Sequence, residues 1–88
     1  MVRPTFRHAD LMDSLAMEIH EYLLDISTNF EGFNLVLIHI TEIVTRFQRN
    51  HRTVQRRISA LKDEGLLVPV IKKNTITLYH VRDQEDQL

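Results

Sequence analysis

The chain has 88 residues, 43% of them hydrophobic, with two glycines, two prolines, no cysteine and a formal charge of −1. That length fits one small domain with a modest core, and the composition excludes a collagen-like repeat, a disulfide scaffold and a thiolate metal site. Acids and a histidine interrupt the N-terminal "MVRPTFRHADLMDSLAMEIH", and no apolar run is long enough to cross a bilayer, so neither export nor a membrane partner is expected and the cytoplasm is the default location.

Residues 1–8 read as an N-terminal arm, residues 9–81 as the domain and residues 82–88 as a polar tail. From Ala9 to Ser27, Leu11, Leu15, Ile19, Tyr22, Leu23 and Ile26 recur at steps of three and four, which predicts an amphipathic helix with Asp13, Glu18, Glu21 and Asp25 on its wet face. "STNFEGFN" breaks that period and predicts a turn, where Gly32 takes a positive φ without penalty. "LVLIHI" is β-branched and apolar, as a short strand is. Thr41 as an N-cap, with Glu42 behind it, then opens a short helix that turns Ile43, Val44 and Phe47 one way. Asn50 caps the next helix, which runs to about Glu64 and stops at Gly65. The final "LLVPVIKKNTITLYHV" predicts two strands folded back at "KKNT", with Asn74 in the left-handed conformation. Pro69 donates no ladder hydrogen bond, so its strand lies at an edge or bends there.

Charge is distributed unevenly. Between Ile43 and Lys73, eight Lys and Arg stand against two acids, a local +6, while three bases against ten acids leave −7 elsewhere. Not one acid interrupts the stretch from Ile43 to Lys62. A basic patch on an acidic body is the footprint of a face that meets a polyanion. At about 100° per residue, Val54, Ile58 and Leu61 form the inward stripe of the third helix. Arg52, Arg56 and Ser59 then point outward, with Thr53, Gln55 and Ala60 beside them and Arg57 and Lys62 nearer the core boundary. Arg grips guanine, Gln pairs with adenine, and short side chains admit close approach, so this face suits the major groove of a duplex. Arg46, Arg49 and His51 are expected within reach of phosphates.

The stretch "ITEIVTRFQRNHRTVQRRISALKDEGLL" resembles the core of a winged helix-turn-helix, the DNA-binding fold of many bacterial and phage transcriptional regulators. Thr53, Val54, Arg56, Arg57, Ile58, Leu61, Glu64, Gly65 and Leu66 carry the likeness. The resemblance implies an α+β domain of three helices with a small antiparallel β-hairpin wing, a recognition helix at about 50–64 and a wing at Lys72 to Thr75, where Lys72, Lys73 and Asn74 touch DNA. The turn "QRNH" lacks the glycine common in the family, and this wing is short. Sequence-specific binding of double-stranded DNA at an operator is the expected function. The alternative is a winged-helix protein-interaction module that docks its basic face on an acidic partner.

His8, His20, His39, His51 and His80 share no ligand-like spacing, so no metal or other cofactor is expected, and no small-molecule ligand is evident. Ser14, Ser27 and Ser59 lie in no nucleophile motif and no glycine-rich phosphate loop is present, so an enzyme is not expected. The width of the first helix's apolar face, together with residues 29–38, suggests a homodimer contact.

Overall fold

In the computed structural model, which describes residues 13–74 and 76–83, helix α1 spans Ser14–Ile26. The expected start at Ala9, the arm at 1–8 and all but the first two residues of the tail lie outside the described residues. Asp13 begins the helix by accepting the Ala16 N–H at 3.0 Å, which satisfies one of the orphan donors of its first turn. Leu15, Ala16, Ile19, His20 and Leu23 form its buried face. The chain leaves α1 at Ser27, whose hydroxyl donates to the Leu24 carbonyl at 2.7 Å.

Next come two strands where the sequence predicts a turn and then one strand. Thr28–Phe30 forms β1 and Phe33–Ile38 forms β2, paired antiparallel through a two-residue connection. Glu31 and Gly32 hold φ of +53° and +90°, and two successive left-handed residues give the turn whose twist matches its flanking strands. The strand β1 is three residues long and exposed throughout, which leaves no apolar alternation to betray it.

Helix α2 spans Ile40–Phe47 and starts earlier than expected: His39, not Thr41, occupies the cap position. The Thr41 hydroxyl engages His39 Nδ1 instead of a backbone N–H. Gln48 ends the helix at φ +55°, taking the left-handed position that glycine fills in related turns. Helix α3 then spans His51–Asp63, with Asn50 accepting the Thr53 N–H at 2.7 Å as the cap. It closes with Gly65 at φ +79°, the Gly65 N–H on Lys62 O at 3.0 Å and the Leu66 N–H on Leu61 O at 2.9 Å. Those paired bonds satisfy the last carbonyls of the helix and require a residue without a Cβ penalty at Gly65.

The hairpin of β3 (Leu67–Lys73) and β4 (Ile76–Val81) turns with Asn74 at φ +58°. The expectation of a hairpin alone is corrected here: β4 also pairs with β2, and the sheet has four antiparallel strands in the order β1-β2-β4-β3. Pro69 lies on the edge strand β3, and the register shifts between Pro69 and Ile71, so edge placement and irregularity both accommodate the missing N–H.

One sheet face carries Val36, Ile38, Tyr79 and Val81 into the core, where they meet Leu15, Ile19 and Leu23 of α1, Ile43 of α2 and Val54, Ile58 and Leu61 of α3. The buried His20 donates from Nε2 to the Arg82 carbonyl at 2.6 Å, and the Arg82 N–H donates to Leu66 O at 2.9 Å. The end of β4 is thereby fastened to α1 and to the connection that follows α3. His20→Ala should lower unfolding free energy by about 2–3 kcal/mol, because it opens a cavity and leaves the Arg82 carbonyl without its donor. Urea denaturation followed by circular dichroism checks this; an unchanged midpoint would contradict the role given to His20.

Candidate functional site

The rotation of α3 decides what faces solvent. Val54, Ile58 and Leu61 are buried, which turns Arg52, Gln55, Arg56, Ser59 and Lys62 outward, all exposed. Arg52, Gln55, Arg56 and Ser59 follow three- and four-residue steps and so lie on one side of the helix. Ala60 corrects the expectation that it flanks this side, since it has no exposed surface. The helix is packed by α1, α2 and β3 together, so the buried arc is wider than its aliphatic trio. Thr53 is half-buried, with its N–H engaged by Asn50.

Arg57 is drawn away from the exposed side. Its Nη2 donates to Asp13 Oδ2 at 2.6 Å and its Nε to Oδ1 at 3.5 Å, with the Arg57 side chain only 18% exposed. One carboxylate thus caps α1 and clamps α3. The Arg57 hydrogen bond, helped by the Ala16 N–H, holds the Asp13 carboxyl below the usual carboxylate range. Arg57 is therefore a positioning residue of the helix and not part of its open cationic face.

Between α3 and the β3–β4 hairpin lies an open groove of about 1130 Å³. Arg52, Gln55, Arg56, Ser59 and Lys62 form one wall; Lys72 and Asn74 at the hairpin tip form the other. Thr77 and Tyr79 of β4 line the floor, with His39, Thr41 and His51 at the end near α2. No carboxylate lines it among the described residues. Arg52, Arg56, Lys62 and Lys72 bring four positive charges to its walls, and none of them is in an ion pair within the described chain. Such a concave cationic surface focuses an anion's approach.

The remaining expected residues separate. Lys73 pairs in register with Ile76 while Lys72 pairs with Thr77, and strand alternation sends their side chains to opposite faces; only Lys72 joins the groove. Arg46 stands on α2 with its guanidinium 4.8 Å from the centre of the Tyr22 ring, and that ring meets Phe47 edge-on at 5.7 Å. Arg49 is exposed in the turn between α2 and α3. Neither arginine lines the groove. Of the histidines, His20 is structural, His80 packs edge-on against Phe33 at 5.0 Å, His39 and His51 border the groove, and His8 lies outside the described residues. Sequence reasoning missed His39, Thr41, Thr77 and Tyr79 as groove residues. The Thr77 and Tyr79 alternation is the one sequence signal that could have found two of them.

Comparison with protein-family models, curated proteins and solved structures finds no match to this chain.

Because the folded-state pKa of Asp13 is lowered, its stabilising contribution is present above the unfolded carboxylate value of about 3.9 and is lost as pH falls from there through the lower folded value. Asp13→Asn keeps a good N-cap but removes this pH-dependent contribution, whereas Asp13→Ala also removes the cap, for a further loss of about 1 kcal/mol. Denaturation at pH 3 to 7 should give the Asn variant a flatter stability profile than the parent; identical profiles would contradict the clamp.

Proposed function

We propose that the domain is a winged helix-turn-helix that binds double-stranded DNA in a sequence-specific manner and regulates transcription by occupying an operator. In this reading α3 is the recognition helix, α2 crosses the backbone, and the β3–β4 hairpin is the wing. The observation that carries it is the groove itself: an exposed helical face of Arg52, Gln55, Arg56 and Ser59 opposite Lys72, without a carboxylate among the described lining residues.

Physical chemistry supplies the division of labour. A major groove about 12 Å wide accepts one helix, and Arg56 and Gln55 carry the planar donor groups that discriminate base edges. Lys62 in the last turn of α3 and Lys72 on β3 are point charges suited to phosphate, and they add affinity without sequence information. The strand of phosphates between the major groove and the adjacent minor groove would run in the concavity between helix and hairpin. Arg57 acts on DNA indirectly, since its bond to Asp13 sets the roll of α3.

Arg56→Ala should lose about 1–3 kcal/mol of discrimination at one base pair. Lys72→Ala should weaken all sequences alike and reduce the slope of log affinity against log salt by about 0.9. Fluorescence anisotropy with specific and scrambled duplexes at several salt concentrations separates the two. Affinity that stays flat between about 50 and 200 mM salt would overturn the proposal.

A further inference from the structure

We propose that the face of the sheet turned away from the helices binds a second copy of this chain, forming a two-fold dimer with the two sheets face to face. The side chains of β2 alternate, so Val36 and Ile38 enter the core while Leu37, Leu35 and Phe33 turn the other way. Register carries this apolar surface across all four strands. Phe30 lies opposite Phe33, Leu37 opposite Leu78, Ile71 opposite the same Leu78, and Val68 opposite His80. Leu37 is 63% exposed, Ile71 61%, Phe30 59% and Phe33 53%. No helix covers these residues among the described part of the chain, because α1, α2 and α3 all pack on the opposite face.

Charge selects the occupant. Lys73, at the hairpin tip, is the only charged residue that strand alternation places on this face among the described residues. A surface so poor in charge offers nothing to a polyanion or a charged peptide, yet it is complementary to itself, as an isologous contact must be. Area agrees: the exposed parts of Phe30, Phe33, Leu37, Val68, Ile71 and Ile76 amount to on the order of 600 Å² per copy and twice that in a pair, the lower edge of stable specific interfaces. Among the described residues, Leu15, Ala16, Ile19 and Leu23 of α1 are buried within the domain, and of the two regions that suggest a dimer in the sequence the strand region offers the broader exposed apolar surface.

The geometry of such a dimer has a consequence for DNA, and this part alone rests on the reading proposed above. Packed sheets lie about 10 Å apart. A helix layer adds roughly another 10 Å on each side, given helix diameters of about 10–12 Å. The two copies of α3 then stand roughly 30 Å apart, close to the one-turn repeat of about 34 Å that separates half-sites read on one side of a duplex. With the two-fold axis along the strands, both hairpin tips point the same way.

Sedimentation velocity of the full chain without DNA tests the interface independently of any nucleic-acid function. At tens of micromolar the parent should sediment as twice its 10.4 kDa mass, while Leu37→Glu and Ile71→Glu should each sediment as single chains with unchanged circular dichroism. A phenylalanine analogue that photo-crosslinks, placed at position 33, should yield a covalent dimer without adding charge to the face. A monomeric parent, as would result if residues 1–12 covered the sheet, overturns the proposal. So does a dimer that survives both substitutions, or an absence of cross-linked product.

Discussion

The burial of Val54, Ile58 and Leu61 against α1, α2 and the sheet is the constraint from which the surface chemistry follows. A helix has one rotational setting that hides its aliphatic stripe, and here that setting presents Arg52, Gln55, Arg56 and Ser59 to solvent. The setting is reinforced at its margin by the Arg57 guanidinium, clamped by the same carboxylate that caps α1. Partly exposed ion pairs contribute little to overall stability. This one instead fixes angle, because Asp13 is tied both to the first turn of α1 and to the middle of α3.

Hairpin and helix cooperate through the sheet. β4 is held between β2 and β3, and its far end is fastened by His20 and Leu66 through Arg82. The tip near Lys72 and Asn74 is therefore carried on a strand anchored at both its edges and its end, which holds the groove open opposite Arg56. The fourth strand and its partner, β1 and β2, widen the sheet. They also enlarge the apolar face on the side away from the helices, and so the same feature that braces the β3–β4 hairpin creates the surface proposed for dimerisation.

Local chemistry made much of this readable from the amino-acid sequence. Asn50 and Gly65 bound α3 because capping and left-handed stops are local properties, and Asn74 and Pro69 mark a turn and an edge strand for the same reason. What stayed hidden is nonlocal or weakly encoded. The β1–β2 pair hinges on a Glu31–Gly32 turn in place of the usual Asn-Gly, with a first strand too short and too polar to show alternation. His39 displaced Thr41 from the cap because β2 ends at Ile38, a boundary set by pairing with β4. Ala60 is buried on a helix packed by α1, α2 and β3, none of which a helical wheel includes, and Arg57 meets an acid 44 positions away. The cationic groove itself combines a helix legible from its period with strand residues whose inward turn depends on register.

In the function proposed above, the outward side of α3 and the inner side of the hairpin tip together form the surface that meets DNA. Backbone amide NMR of the isotope-labelled chain during titration with a short duplex tests it most directly. Perturbed resonances should cluster at His51 to Lys62 and at Lys72 and Asn74, with the outer-face residues of the sheet unmoved. Shifts confined to that outer face, or none at low salt, would contradict it.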